Sequence, residues 1–210
     1  MGEKTTISWT QSTWNPWRGC TKVSPGCDRC YMYRDQERYG RDPSVVVRAA
    51  PTTFSAPLRW KERRKVFTCS WSDFFHRDAD PWREEAWQII RRTQHLIYQI
   101  LTKRPDRMEH WIKEHQPAPL PNVWLGASVE SQKFAGRLDA LTQTPAAVRF
   151  VSVEPLLGPV DLRPWLAGDI LNWVIVGGES GSGYRPMNVG WVQAMAEDCY
   201  DADVPLFVKQ

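Results

Sequence analysis

Short apolar segments recur along the chain at a nearly regular interval, and this pattern constrains the fold more than any other feature. Their starts lie roughly 25 to 30 residues apart, which is the length of a strand followed by a helix. Several are continuously apolar, as is typical of strands buried on both faces of a parallel sheet. The predicted strands cover residues 7–10, 66–70, 96–101, 123–127, 150–153, 173–176 and 206–208.

Helical patterns fill the gaps between these segments. Asp80 is a candidate N-cap ahead of Pro81, and Ser131 and Asn188 precede two further helical patterns, while residues 106–114 suit a shorter helix. One face of the first helix is apolar and carries Trp82, Ala86, Ile89 and Ile90. The alternation predicts an α/β fold, a partial parallel (β/α) barrel of about six or seven strands that forms a single domain over residues 1–210.

Composition excludes several classes of protein. Of 210 residues, 42% are hydrophobic and 24% are charged, which is typical of a globular chain and not of a disordered one. No apolar run reaches the roughly 18 residues of a membrane-spanning helix, and no signal peptide is evident. We therefore expect a cytoplasmic protein without membrane association. The net charge of +3 is too small to require an anionic partner.

Charged residues follow the end of each of the last six predicted strands. Because active sites of parallel α/β folds form at the carboxyl ends of the strands, we expect these side chains to converge on one rim. Loops are polar in any case, so each residue taken alone has this alternative explanation. The residues are Asp73, Lys103 with Arg104, Glu130, Glu154, Glu179 and Lys209.

Three cysteines near the start of the chain carry the most specific chemical signal. Cys20, Cys27 and Cys30 are spaced C-x6-C-x2-C in a loop over residues 19–31. Three thiolates suit a [4Fe-4S] cluster with one iron open to another ligand, whereas a closed zinc site needs a fourth ligand from Cys69 or His76. Unligated thiols are the third possibility. Cys69, inside a predicted strand, and Cys199, on an apolar helix face, are expected to be core residues.

Several motifs together resemble a known family. The chain is similar to the phage-associated three-Cys-motif proteins, a family of uncharacterised function that in turn resembles radical S-adenosylmethionine (SAM) enzymes. The first gap between cysteines is longer than the C-x3-C-x2-C usual in those enzymes. The motifs are ISWT at 7–10, TWNP at 13–16, GCTKVSPGCDRCY at 19–31, CSWSDFFH at 69–76, LTKRP at 101–105, VEPL at 153–156, GGESG at 177–181 and RPM at 185–187.

The resemblance implies a chemistry and assigns roles to the residues. The three cysteines would hold the [4Fe-4S] cluster, whose open iron would bind SAM, and an external one-electron donor would start cleavage to a 5′-deoxyadenosyl radical. The substrate is unknown, and nucleic acid is possible. The residues expected to bind SAM are Tyr31, Glu154, Gly177, Gly178 and Glu179, with Glu179 preferred to Glu154 for the methionine ammonium or the ribose. Asp73, Lys103, Glu130 and Lys209 are the catalytic candidates, and together with Arg104 they are expected to face the substrate or cofactor. For Lys103 and Lys209 the alternative is that they only neutralise the clustered Glu residues.

A non-catalytic nucleic-acid-binding protein with a structural metal site is the alternative. The basic run at 59–65 (RWKERRK) and the twelve tryptophans, several of which we expect to be exposed and to stack on bases, favour it. The run also suits a solvated face at the end of the sheet opposite the charged rim. The chain contains no nucleophile triad, P-loop or Rossmann fingerprint.

Overall fold

Seven parallel strands form one curled sheet, a half-barrel, in the computed structural model, which describes residues 4–209. In the sheet the strands lie in the order β1-β4-β5-β6-β7-β8-β9, and every neighbouring pair is parallel. β2 and β3 form a separate antiparallel pair. The strands are β1 (Ser12–Trp14), β2 (Trp17–Arg18), β3 (Val47–Arg48), β4 (Arg64–Thr68), β5 (Leu96–Thr102), β6 (Val123–Ser128), β7 (Val148–Val153), β8 (Trp173–Val176) and β9 (Leu206–Val208).

Helices connect successive strands of the sheet and cover its outer face. Short 3₁₀ turns precede several of them, including Pro25–Cys27 in the cysteine loop. The α-helices are α1 (Tyr31–Arg38), α2 (Pro51–Phe54), α3 (Asp80–Arg92), α4 (Pro105–His115), α5 (Arg137–Gln143), α6 (Arg163–Leu166) and α7 (Val189–Asp201).

Alternation along the strands divides the core into two clusters. The larger one lies between the sheet and the helices and includes Val151 and Val174. The smaller one fills the inside of the half-barrel with Phe67, Phe150 and Ile175. Both faces of the sheet are therefore covered, which explains why these strands are continuously apolar in sequence.

The first strand lies later in the chain than predicted. Residues 7–10 form a turn, closed by a hydrogen bond from the Thr10 amide to the Ile7 carbonyl, and β1 begins at Ser12. Trp9 enters the half-barrel and packs 4.6 Å from Phe67 between ring centroids. Its burial inside the barrel, rather than membership of a strand, accounts for the apolar character of this segment.

Two predicted N-caps are wrong and one is correct. Asp80 is the first residue of α3, because the 3₁₀ turn before it leads directly into the helix, and its carboxylate pairs with Arg83 at 2.5 Å. Ser131 makes no capping hydrogen bond, and α5 begins six residues later. Asn188 caps α7 by accepting a 2.8 Å hydrogen bond from the Gly190 amide. Within residues 4–209, no helix is long and apolar enough to span a membrane.

Candidate active site

A cavity of about 830 Å³ opens at the carboxyl end of the sheet. The cysteine loop, the N-terminal residues from Lys4 to Ile7 and the segments that follow β4, β5, β7, β8 and β9 line it. Its size lies within the range of about 300–1,000 Å³ typical of small-molecule sites. The sequence-predicted residues in its wall are Cys20, Cys27, Cys30, Tyr31, Asp73, Lys103, Arg104, Glu154, Gly178, Glu179 and Lys209.

The cysteine loop is attached to the sheet at its start. Gly19 has φ +89°, and a side chain there would collide with the Val45 carbonyl oxygen. The Gly19 amide donates to the Trp71 carbonyl at 3.0 Å, and the Cys20 amide donates to that of Pro43 at 2.8 Å. These contacts place Cys20 at the cavity, and Cys30 follows ten residues later, immediately before α1.

Tyr33 lines the cavity with the three cysteines and donates its hydroxyl to the Cys20 carbonyl at 2.5 Å. Burial, together with the nearby Cys20, Cys27 and Cys30, raises the pKa of Tyr33 to about 12. Burial also raises the pKa of Cys20 to about 12 and raises the pKa of Cys30. Burial therefore favours the neutral form of the Cys20 and Cys30 thiols until a cation binds them.

Among residues 4–209, no group of three or more His, Cys, Asp or Glu residues lies close enough together to hold a metal ion. Both ring nitrogens of His76 are engaged: Nδ1 accepts from the Asp78 amide at 3.2 Å, so Nε2 donates to Thr21 Oγ1 at 2.9 Å. Cys199 is buried on α7 and does not line the cavity. Cys69 is a core residue as predicted, but it also lines the cavity next to Cys20.

Asp73 is an anchor for neighbouring segments and is only 5% exposed. Its Oδ1 accepts hydrogen bonds from Thr102 Oγ1 at 2.7 Å and from the Phe75 amide at 2.9 Å. Its Oδ2 accepts from the Lys103 amide and from Arg104 Nη1, both at 3.0 Å. Four donors thus satisfy this carboxylate, and it ties the segment after β4 to the end of β5.

Glu130 lies behind the cysteine loop and does not belong to the cavity wall. The residue is fully buried, and its carboxylate accepts from Ser24 Oγ at 2.6 Å and from Arg137 Nη1 at 2.9 Å. The Lys103 ammonium is 3.6 Å away. A side chain at Gly26 would meet Glu130 Oε1 at 2.5 Å, so glycine lets the loop pack directly on this carboxylate.

Glu179 is held by Arg185. Its Oε2 accepts from the Arg185 amide at 2.9 Å and from Nε at 3.0 Å, and Nη2 contacts Oε1 at 2.5 Å. Hydrogen bonding to Arg185 is the largest influence on this carboxyl, and its pKa is lowered. The same guanidinium donates to the Pro25 carbonyl at 2.9 Å, so Glu179 connects the segment after β8 to the cysteine loop.

Glu154 and Lys209 form an ion pair across the ends of β7 and β9. The Glu154 side chain is 21% exposed, compared with 4% for that of Glu179. Gly177 lies against this pair, because a Cβ at position 177 would be 3.2 Å from the Lys209 Cβ. Contrary to the expectation that it binds SAM, Gly177 does not line the cavity. Tyr31 lines the cavity and donates its hydroxyl to the Ser70 carbonyl at 2.7 Å.

Sequence reasoning missed two of the arginines that pair with the carboxylates. Arg185 donates to Glu179 and to the Pro25 carbonyl of the cysteine loop, and Arg137 donates to Glu130, but neither arginine received a role. The Arg-Pro at 185–186 lies within a recognised motif, and this was the available signal for Arg185. No local pattern distinguishes Arg137 from other helical arginines.

The residues that favoured a nucleic-acid-binding protein are only partly accessible. None of the twelve tryptophans, all within residues 4–209, is exposed, which corrects the expectation of exposed stacking side chains. Trp9 and Trp71 line the cavity. In the basic run, Trp60 and Arg64 are buried and Lys65 is half-buried at the start of β4. Arg59, Lys61 and Arg63 are exposed and precede β4, at the end opposite the cavity.

Comparison with known proteins identifies a family without assigning an activity. No curated protein and no solved structure matches the chain. Phage association and similarity to radical SAM enzymes stay predictions. The chain belongs to the family described as "Protein of unknown function (DUF5131)", whose model matches residues 4–210.

Proposed function

We propose that this protein is an iron–sulfur enzyme of the radical SAM type, which uses a [4Fe-4S] cluster and SAM to act on a substrate still to be identified. The observation that carries the proposal is the common location of Cys20, Cys27 and Cys30 in one cavity at the carboxyl end of a parallel half-barrel. Cavities of this kind are the usual position of active sites in parallel α/β folds.

The donor set fits a cluster better than a single zinc ion. In a four-iron cluster each cysteine binds a different iron, so the thiols need not come together around one point. A closed zinc site needs four ligands around one centre, and His76 already uses both ring nitrogens. Cys69 does line the cavity next to Cys20, but within residues 4–209 no three such side chains are close enough together to hold a single metal ion. The cavity also leaves room for a second small molecule beside the thiols.

When bound, the cluster and SAM would supply one-electron cleavage of the sulfonium C–S bond, giving a 5′-deoxyadenosyl radical. The protein's own residues orient the loop and exclude water. Glu130 and Asp73 hold the loop through Ser24 and Arg104. The inner wall includes Phe67 and Leu101, which keep water from the floor of the cavity.

Glu154 is the better candidate for the SAM ammonium. Glu179 is nearly inaccessible and is held by three contacts with Arg185. Within residues 4–209, Glu154 has a single cationic partner, Lys209, and it has a more accessible side chain than Glu179. A ligand ammonium that enters the cavity could replace Lys209 beside this carboxylate without disturbing the attachment of the cysteine loop.

Anaerobic reconstitution with iron and sulfide, followed by reduction with SAM present, tests the proposed function. We expect 5′-deoxyadenosine to form in the wild-type protein and to be absent in Cys27→Ala, because that variant lacks one cluster ligand. Cys199→Ala is the matched control, since Cys199 is buried away from the cavity, and it should retain activity. Absence of the nucleoside from a wild-type protein that holds a reduced cluster would contradict the proposal. A colourless protein with stoichiometric zinc would favour the structural-metal alternative.

A further inference from the structure

We propose that Arg104 is a positioning residue that donates a hydrogen bond to the Cys20 sulfur and thereby raises the reduction potential of the cluster. This inference rests on the proposed function. Arg104 Nη1 lies 3.6 Å from Cys20 Sγ, within hydrogen-bonding range for sulfur. The sequence placed Arg104 among residues that face the substrate or cofactor, and the geometry points more specifically to the Cys20 sulfur.

The guanidinium of Arg104 is fixed on two further sides. Nη1 also donates to Asp73 Oδ2 at 3.0 Å, while Nη2 donates to the Thr21 carbonyl at 2.8 Å and to Thr21 Oγ1 at 2.9 Å. The Arg104 side chain is only 11% exposed. Its planar fork is therefore held in one orientation, and an N–H group stays directed at the sulfur.

The partners of Arg104 are themselves held in place. Asp73 accepts hydrogen bonds from Thr102 and from two backbone amides, and Thr21 Oγ1 contacts His76 Nε2 at 2.9 Å. Burial alone would lower the pKa of Arg104, but Asp73 and Cys20 oppose this and the pKa is raised. The side chain is consequently charged at every pH at which the protein is folded.

Within residues 4–209, Cys20 is the only one of the three candidate ligands with a hydrogen bond from a charged side chain. Cys27 Sγ has only Ser24 Oγ, at 3.8 Å. Reduction of a cluster adds negative charge, which a nearby cation and an N–H···S hydrogen bond stabilise. Arg104 should therefore favour the reduced state and make the electron from the external donor easier to accept.

The test compares cluster midpoint potentials, measured by a redox titration followed by electron paramagnetic resonance. For Arg104→Leu, we expect the equilibrium constant for reduction to fall about tenfold, which is about 59 mV more negative for one electron. Arg104→Lys keeps the charge but cannot reach Asp73, Thr21 and Cys20 together. The cluster potential of this variant should therefore lie between those of the wild type and Arg104→Leu. Arg107→Leu is the control, because Arg107 contacts Asp80 and the Phe75 carbonyl and should leave the potential unchanged.

Hydrogen exchange of residues 19–31 in the metal-free protein distinguishes a purely structural role of Arg104 from an effect on the cluster potential. If Arg104→Leu only increases exchange in the loop while the cluster potential stays at the wild-type value, the inference is overturned and the proposed function survives. A wild-type protein that assembles no cluster overturns both this inference and the proposed function. If Arg104→Leu does not retain iron, the potential of Arg104→Lys decides, and a wild-type value there also overturns the inference.

Discussion

At the scale of single residues, the carboxylates around the cavity are paired with cations of the same chain. Asp73, Glu130, Glu154 and Glu179 contact Arg104, Arg137, Lys209 and Arg185 in turn. The sequence identifies the carboxylates because each follows a strand. It also identifies Arg104 and Lys209 as charges at the same rim, but it does not show which charges pair, because Arg104 and Asp73 are 31 residues apart and Lys209 and Glu154 are 55 residues apart.

Replacing Glu179 by Gln should lower stability in a pH-dependent way. Arg185 lowers the pKa of Glu179, so the contribution of this carboxylate is present above its unfolded pKa of about 4.3. This contribution is lost as the pH falls through the lower pKa that Glu179 has in the folded protein. We expect Glu179→Gln to be less stable by about 1 to 3 kcal/mol at pH 7, with the difference from wild type shrinking as the pH falls below about 4.

Denaturant unfolding at pH 7, 5, 4 and 3 measures this difference. The exposed Glu197 offers a control, since Glu197→Gln should differ from wild type by less than about 0.5 kcal/mol at each pH. A Glu179→Gln deficit that is constant from pH 7 to pH 3 would mean that the ionised carboxylate is not the source of the stability.

At the scale of elements, the strands were more predictable than the helix caps. β8 and β9 have their predicted bounds, because each is apolar along its whole length and ends at a turn residue or a charge. The caps at Asp80 and Ser131 failed because 3₁₀ turns precede α3 and α5, and such turns leave no distinct sequence signal. The prediction of a strand at residues 7–10 was wrong because the segment is apolar for another reason, the burial of Trp9 by tertiary packing.

The packing of β6 against β7 depends on Gly126. A Cβ at this position would lie 2.5 Å from Phe150 Cζ, and Phe150 is fully buried. We expect Gly126→Ala to destabilise the protein by about 1 to 3 kcal/mol through overpacking. In a Phe150→Leu background, the shorter side chain leaves room, and the cost of Gly126→Ala should fall by more than about 0.5 kcal/mol.

Denaturant unfolding of the four proteins in this cycle checks the coupling. Gly136→Ala is the matched control, because the nearest atom to its new Cβ would be Asp139 Oδ2 at an ordinary 3.9 Å. It should change stability by less than about 0.5 kcal/mol. Equal costs of Gly126→Ala in both backgrounds would show that Phe150 does not set the constraint.

At the scale of the whole molecule, the half-barrel and its charged end follow from the sequence. The separate roles of the charged residues at that end do not. The regular interval of strands predicts a parallel sheet, and the carboxyl-end rule then places the charges and the cysteine loop together. Which residues attach the cysteine loop and which remain accessible depends on which side chains become neighbours in the folded protein. Glu179 and Glu154 look alike in sequence, yet only Glu154 retains an accessible carboxylate.

The content of iron and sulfide per chain after anaerobic reconstitution tests the central claim most directly. Because Cys20, Cys27 and Cys30 line one cavity, we predict about four irons and four sulfides per wild-type chain. Cys20→Ala, Cys27→Ala and Cys30→Ala should each lose most of this iron, whereas Cys199→Ala should retain it. A wild-type chain that binds one zinc ion and no sulfide, or a Cys30→Ala variant with its full iron content, would contradict the account.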